Sequence, residues 1–318
     1  MEVRKVNGFF IIFVIGYIGL SVVCASIMAY AQNSGIAVPD WIQYVMSEGI
    51  ILLIAIIYMI VQKIDPIREI PYKRIGIVDV ILSLVAGYCL IPAVLLISNL
   101  SMLFSTNYLE EGTTTLLTYP FAMQVILLAV IPPLVEELIF RGIFFGSYRK
   151  AGMTGAALMS GLLFGCFHLN INQALYPFVM GIVFAYMVEA TGSLWSSVIA
   201  HFAVNTYSIG IVQIFKMAGI YAQDGSVSET FENAESVAGQ STAVTVVQIA
   251  MIAVIAAVFM MLAVLCIRTM AKRHGNLEKM KIQKVKLSHI KNYFTAPVIV
   301  GIVVCVMYMI MLEFSGTL

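Results

Sequence analysis

The sequence predicts an all-α protein, a polytopic transmembrane helical bundle with about eight or nine spans. Composition supports this class, because 61% of the 318 residues are hydrophobic and the mean hydropathy is +0.96. Only 11% of the residues are charged, whereas a soluble domain carries about 25%. Apolar segments long enough to cross a bilayer, at about 20 residues per crossing, recur along the whole chain. We place them at 7–32, 44–62, 77–103, 121–147, 152–169, 174–190, 194–215, 243–267 and 296–314.

The charged residues are sorted between alternate loops. Basic side chains gather at 4–5, 63–74, 149–150 and 268–291, and the intervening loops carry mainly Asp and Glu. Cytoplasmic loops are the basic ones in membrane proteins. We therefore expect a cytoplasmic N-terminus and an external C-terminus.

Two connecting segments have distinct compositions. Residues 217–242 are rich in Gly, Ser and Glu, which indicates an external flexible loop. Residues 268–292 form a basic cytoplasmic loop. This loop is either a simple topological signal or a surface helix on anionic lipid.

The chain is predicted to be one integral membrane domain, 1–318, with its polar residues concentrated in a core at 120–210. The spans within 1–119 and 243–318 flank this core. All five cysteines lie in apolar runs and none forms a C-x-x-C pair, so we interpret them as buried small side chains rather than as disulfides or zinc ligands. The net charge of +1 gives no indication of nucleic-acid binding.

The fourth apolar segment contains an unusual charge cluster. Glu136, Glu137 and Arg141 lie within it, and each charge costs about 3 kcal/mol in a membrane helix. Glu137 and Arg141 are four residues apart and share a helix face, whereas Glu136 is rotated from Glu137 by about 100°. The spacing predicts a neutralised Glu137 and an unpaired Glu136 that can serve as a general base or acid.

A pair of prolines precedes the glutamates. Pro132 and Pro133 should kink this helix and free backbone carbonyls within the membrane. Such breaks are tolerated where a bundle lines a polar cavity.

Two histidines and an asparagine occur in other predicted spans. His168 follows Phe164 by one helical turn, and Asn205 follows His201 by one turn. A satisfied packing role is common for a lone membrane histidine, but here two histidines accompany a pair of carboxylates. We expect Glu136, His168, His201 and Asn205 to converge on one cavity that opens toward the cytoplasmic half.

Such a set of side chains suits hydrolysis. A carboxylate with an imidazole can hold and deprotonate a water, and a second imidazole with an amide can donate to an oxyanion. Alternatively, Glu136, His168 and His201 could bind a divalent metal such as Zn²⁺ that activates the water. The sequence contains neither H-E-x-x-H nor a G-x-S-x-G elbow.

Three motifs resemble those of the CPBP family, which comprises type II CAAX prenyl endopeptidases and the bacterial bacteriocin-processing and immunity (Abi) proteins. Glu136-Glu137-Leu-Ile-Phe-Arg141 fits E-E-x-x-x-R, and Phe164-Gly-Cys-Phe-His168 fits F-x-x-x-H. His201-Phe-Ala-Val-Asn205 fits H-x-x-x-N. The motifs occur in this order within residues 120–210.

The resemblance implies an intramembrane endopeptidase of the glutamate type or the metal-dependent type. Glu136 and His168 would activate the water, His201 and Asn205 would bind the oxyanion, and Glu137, Arg141 and Phe164 would support them. It also implies a multi-pass protein of a bacterial cell membrane. The expected substrate is a peptide or protein, which can have a membrane-anchored C-terminus.

Two other functions are open at this stage. A non-catalytic immunity or scaffold protein would keep the cavity without needing the water-activating pair. A proton-coupled transporter would also place Glu and His within the membrane, but no internal repeat typical of transporters is apparent.

Overall fold

The computed structural model describes residues 2–105, 119–219, 242–285 and 287–315. Helices dominate these residues, and no strand occurs among them. The helices are α1 (Val3–Asn33), α2 (Trp41–Val61), α3 (Pro66–Glu69), α4 (Ile77–Ser101), α5 (Phe121–Ala151), α6 (Met153–Phe167), α7 (Ile171–Thr191), α8 (Trp195–Met217), α9 (Thr242–Arg273), α10 (Leu287–Tyr293) and α11 (Ala296–Ser315).

Eight of these helices are long and apolar enough to cross a membrane: α1, α2, α4, α5, α7, α8, α9 and α11. The predicted polytopic helical bundle is therefore confirmed. The fifth predicted span, 152–169, corresponds to α6, which has only 15 residues. A crossing needs about 20 residues, so α6 is too short to cross the membrane in full. It forms a hairpin with α7, which has 21 residues.

The outer helices present apolar side chains on the surface of the bundle. Ile27 in α1, together with Val254 and Met261 in α9, is 61% to 66% exposed. Contiguous apolar surface of this kind needs an apolar surrounding, which the hydrocarbon of a bilayer supplies. The chain is a multi-pass membrane protein.

Helix α5 is not a uniform α-helix. Its segments Val125–Val130 and Leu138–Phe145 are π-helical, and the α-helical segment Ile131–Glu137 between them contains both prolines. A proline cannot donate to the carbonyl four residues earlier, and π-helical turns are frequent at functional sites. The predicted disturbance of this span is thus present as changes of helix type on both sides of the glutamates.

Glycines bring α6 and α7 into close contact. A Cβ atom at Gly165 would overlap the Ala174 carbonyl oxygen, and one at Gly161 would lie 2.6 Å from the Phe178 carbonyl oxygen. Small residues at such positions let membrane helices approach at backbone distance. The short helix α6, which precedes His168, is therefore held directly against α7.

Polar contacts join the helices at the end of the bundle that bears the basic loops. The buried Asp79 carboxylate of α4 accepts from Arg273 Nε at 3.0 Å and lies 3.0 Å from His274 Nε2. Arg149 at the end of α5 forms an ion pair with the buried Glu189 of α7. These contacts fix the basic loops to the helices that precede and follow them.

Asn7 connects α1 to two other parts of the chain. Its side-chain oxygen accepts from the Tyr148 hydroxyl at 2.6 Å, and its amide donates to Thr295 Oγ1 and the Asn292 carbonyl, each at 2.9 Å. Asn7 is fully buried. This network attaches the first and last spans to the end of α5.

Two predicted loops have different outcomes. The basic stretch 268–292 is not one surface helix, because α9 continues to Arg273 and a separate 3₁₀ turn follows at Leu277–Met280. Of the predicted external loop 217–242, only 217–219 and 242 fall among the described residues.

We predict that the basic loops face the cytoplasm. Reporter fusions after Gly35 and Ser315 should give external signals, and a fusion after Gly275 should give a cytoplasmic signal, because Lys and Arg are retained on the cytoplasmic side. Paired reporters that are active on opposite sides of the membrane would measure this. A cytoplasmic signal after both Gly35 and Ser315 would invert the topology.

Candidate functional site

Glu137 is the centre of a buried charge network. Its Oε1 atom lies 3.0 Å from Arg141 Nη1 and 3.1 Å from His201 Nδ1. The side chains of Glu137 and Arg141 are both fully buried. The i,i+4 pairing that the spacing predicts is present, and His201 of α8 adds a second partner to the same oxygen.

Two aromatic rings enclose the Arg141 guanidinium. Its Cζ atom lies 4.3 Å from the Phe164 ring centroid and 5.2 Å from the Phe184 ring centroid. None of the three guanidinium nitrogens makes a well-aligned hydrogen bond with the described residues. Charge contact with Glu137 and cation–π contact with α6 and α7 therefore stabilise this buried cation.

His201 lies between the two adjacent glutamates. Since a carboxylate oxygen accepts, Nδ1 of His201 is the donor toward Glu137 at 3.1 Å. Its other nitrogen, Nε2, faces Glu136 Oε2 at 3.6 Å. The Glu136 side chain is 14% exposed, so it is the glutamate of the pair that can reach a water-filled space.

His168 occupies the turn between α6 and α7. Its Nδ1 atom is 2.8 Å from the Phe164 carbonyl oxygen, which can only accept, so Nδ1 carries the proton and Nε2 has a free lone pair. Leu169 follows with a positive φ of 54°. The motif spacing F-x-x-x-H thus reflects a carbonyl that fixes the tautomer of the histidine four residues later.

Asn170 and Asn172 hold this turn in place. Asn170 caps α7 by accepting from the backbone N–H of Asn172 at 2.9 Å, as asparagine commonly does at helix starts. The side-chain amide of Asn172 donates to Ser101 Oγ at 2.9 Å and to the Ser98 carbonyl at 3.2 Å. The His168 turn is consequently anchored to α4.

Glu136 and His168 line a common cavity of about 610 Å³. Ligand pockets typically have volumes of about 300–1,000 Å³. The opposite wall comes from α1, α2 and α11, through residues such as Tyr17, Glu48 and Tyr308. Of the four side chains that the sequence predicts to share a cavity, Glu136 and His168 line this one, whereas His201 is not among its lining residues.

The position of the cavity differs from the sequence-based expectation. Its lining residues Ala25, Ser47 and Leu312 lie in the halves of α1, α2 and α11 that are remote from the basic loops. The expected opening toward the basic, cytoplasmic side is therefore wrong. Helix tilts and lengths decide this feature, and a linear sequence does not specify them.

Asn205 does not line this cavity. Its amide donates to the Leu128 carbonyl oxygen at 2.9 Å. Leu128 lies four residues before Pro132, which has no N–H to donate to that carbonyl. Asn205 thus satisfies a carbonyl that the proline leaves free, and its second amide hydrogen is available for another acceptor.

The candidate metal ligands do not converge. Among the described residues, no group of three His, Cys, Asp or Glu side chains is arranged to hold a metal ion. Glu136 approaches His201 at 3.6 Å, whereas Nδ1 of His168 is engaged by the Phe164 carbonyl. The residues present do not fit the three-ligand zinc site considered from the sequence.

One cavity residue was missed by the sequence analysis. Glu48 lies in the cavity wall on α2, and its buried Oε2 atom has no hydrogen-bond partner among the described residues. The signal that could have found it is the one that revealed Glu136, a carboxylate inside a predicted span. Glu48 lies only four residues inside the predicted span 44–62, where it resembles a loop charge.

Comparison with known families agrees with these motifs. Residues 118–207 match the family described as type II CAAX prenyl endopeptidase Rce1-like. The predicted resemblance is thereby confirmed over the segment that contains α5, α6, α7 and the first half of α8. Helices α1, α2 and α11, which build the opposite wall of the cavity, lie outside the matched segment.

Two curated proteins are similar to the same part of the chain. "Putative membrane peptidase YdiL" of Bacillus subtilis is 33% identical over 88 residues, 27% of this chain and 36% of that protein. "UPF0177 protein YxdF" of Lactococcus lactis is 28% identical over 96 residues, 30% of this chain and 53% of that protein. The chain thus spans about a third to a half of these relatives, and no solved structure is significantly similar to it.

We predict different roles for Arg141 and Glu136 in stability. Removing one partner of a buried ion pair typically costs about 3–5 kcal/mol, so Arg141→Met should lower the melting temperature and yield. Glu136→Gln should leave both nearly unchanged, because Glu136 has no cationic partner as close as that of Glu137. Thermal unfolding of the purified variants in detergent measures this. Equal destabilisation by the two substitutions would contradict the different roles assigned to Arg141 and Glu136.

We further predict that Asn205 and Pro132 are coupled. Asn205→Ala should destabilise the protein by about 1–3 kcal/mol, the cost of leaving a buried carbonyl unsatisfied. In a Pro132→Ala background the restored N–H can serve the Leu128 carbonyl, so Asn205→Ala should cost less. Unfolding measurements on the four proteins give the coupling. If the effects of the two substitutions were strictly additive, the Leu128 carbonyl would not couple Asn205 to Pro132.

Proposed function

We propose that the protein is an intramembrane endopeptidase that hydrolyses a peptide bond with an activated water. The observation that carries this proposal is the shared cavity, which Glu136 and His168 both line. The matched family and the name of the Bacillus subtilis relative support protease activity in general. The assignment of individual residues is our own.

In the proposed reaction, Glu136 and His168 hold a water and accept its proton as its oxygen attacks the peptide carbonyl carbon. The new C–O bond gives a tetrahedral oxyanion. Transfer of the proton to the nitrogen then allows the C–N bond to break, which releases a carboxylic acid and an amine. Atoms and charge balance without a covalent acyl-enzyme.

His201 and Asn205 are proposed to stabilise the oxyanion. Glu137 accepts from His201 Nδ1, so His201 would donate to the oxyanion from Nε2 as the doubly protonated imidazolium, which the Glu137 carboxylate would stabilise. Asn205 lies outside the cavity lining, so its role requires that the bound peptide reach the amide hydrogen that does not bind the Leu128 carbonyl. Donors that are fixed before the reaction act strongly in a low-dielectric site.

Arg141, Glu137 and Phe164 are proposed to position these groups. Arg141 neutralises Glu137. The centroid of the Phe164 ring lies 4.3 Å from Arg141 Cζ, 4.8 Å from the His168 ring centroid and 5.9 Å from the His201 ring centroid. Phe164 also supplies the carbonyl that fixes the His168 tautomer. This single aromatic residue therefore connects both histidines to the charge network.

Ser21 and Ser47 line the cavity, and Ser47 Oγ is engaged with the Tyr17 hydroxyl at 3.0 Å. The two serines with glycine neighbours lie outside the cavity lining. Ser160 donates to the Phe140 carbonyl at 2.8 Å, and Ser193 donates to the Lys73 carbonyl. Both are fully buried. These contacts support water, rather than a serine hydroxyl, as the attacking group.

We predict that Glu136→Ala and His168→Ala abolish cleavage of a peptide substrate. Asn205→Ala should leave measurable turnover, because removal of one oxyanion donor typically lowers the rate by about 10²–10³. Glu278→Ala, on the exposed 3₁₀ turn, is the matched control and should retain activity. Purified protein in proteoliposomes and a fluorogenic peptide library give the rates.

Two outcomes would overturn this mechanism. Loss of activity with a chelator and its return with Zn²⁺ would show a metal-dependent reaction. Equal turnover by the wild type and Glu136→Ala would remove Glu136 from the chemistry. Peptide binding without any cleavage would instead favour the immunity or scaffold function.

A further inference from the structure

The wall of the cavity opposite the proposed catalytic pair contains a second glutamate. Glu48 of α2 and Glu136 of α5 line the same space, and they are close enough for their charges to interact. Glu48 lies outside the segment that matches the family, 118–207. Its position is thus a property of this chain rather than of the shared motifs.

The Glu48 carboxylate has no counter-ion in the described part of the protein. Its Oε2 atom is buried and makes no hydrogen bond there. The neighbouring hydroxyl, Ser47 Oγ, is engaged with the Tyr17 hydroxyl at 3.0 Å. By contrast, the buried carboxylates of Glu137, Glu189 and Asp79 all contact arginine.

The charge balance of the cavity is one-sided. Its lining includes Glu48 and Glu136 but no Lys or Arg among the described residues. Neighbouring carboxylates in an apolar surrounding repel one another when both are ionised. A cation that enters the cavity would neutralise this repulsion.

The remaining lining suits a cation with an apolar stem. Val22, Ile51 and Leu312 share the cavity with the two carboxylates. Lys and Arg bury their methylene stems along apolar surface while the charged end reaches a polar partner. A metal ion, with no stem, would gain nothing from these side chains.

We propose that Glu48 is a specificity-determining residue that binds the cationic side chain of a Lys or Arg in the peptide substrate. This inference rests on the proposed function. The substrate would cross the cavity with its scissile bond at Glu136 and His168 and its basic side chain at Glu48. The substrate class is then a peptide with a basic residue near the cleavage site.

The test uses fluorescent peptides that differ at one position. An apolar peptide carries Lys, Arg, norleucine or Gln at each position around the scissile bond in turn. Binding and cleavage are measured in proteoliposomes for the wild type, Glu48→Gln and the exposed control Glu278→Gln. Charged hydrogen bonds predict that the wild type and the control prefer the Lys or Arg peptide about 10- to 100-fold over norleucine.

Glu48→Gln should lose this preference, and Glu48→Lys should favour a peptide with Glu at the same position. The measured quantity is a ratio between peptides for one protein sample, so a partly unfolded variant does not mimic the effect. If Glu48→Gln lowered activity but left the ratio between the basic and the norleucine peptides unchanged, the inference would be overturned. The same conclusion would follow if the wild type showed no preference at any position.

Failure of the proposed function gives a different pattern. If no peptide is cleaved but the Lys and Arg peptides bind more tightly than norleucine in a Glu48-dependent manner, the endopeptidase proposal fails and the Glu48 inference stands. If peptides are cleaved without preference for a basic residue, the endopeptidase proposal stands and the Glu48 inference fails. A preference that depends only on a free α-amino group would also exclude side-chain recognition.

Discussion

A single buried carboxylate, that of Glu137, holds the centre of this bundle together. It faces Arg141 from its own helix and His201 from α8, while rings from α6 and α7 enclose Arg141. Four helices thus meet around one ion pair. Buried pairs are weak evidence for stability in themselves, because desolvation offsets much of their attraction. Here the pair also sets the orientation of His201, so its geometry determines the site.

Much of this arrangement follows from sequence alone. The apolar segments locate most spans to within a few residues, because hydrocarbon thickness fixes the length of a membrane helix. The i,i+4 rule predicts the Glu137–Arg141 contact, since both residues lie on one helix. The high cost of intramembrane charge singles out Glu136 as a residue in need of a function. These are local rules that require no knowledge of helix packing.

Contacts between helices were harder to predict. Asn205 donates to Leu128, 77 residues away, and this partner exists only because Pro132 lies four residues beyond it. Glu48 faces the cavity because α2 packs beside α5 with a particular rotation about its axis. The side on which the cavity lies depends on where α6 ends. Tilt, rotation and hairpin length are tertiary quantities, and one sequence constrains them weakly.

The turn between α6 and α7 has a further electrostatic consequence. It places the C-terminal end of one helix beside the N-terminal start of another at the edge of the cavity. These ends carry partial charges of about half an elementary charge with opposite sign. At distances beyond a few ångströms the two macrodipoles oppose each other. The backbone therefore brings polar groups into the membrane without net charge, and the field across the cavity is governed by the ionisable side chains.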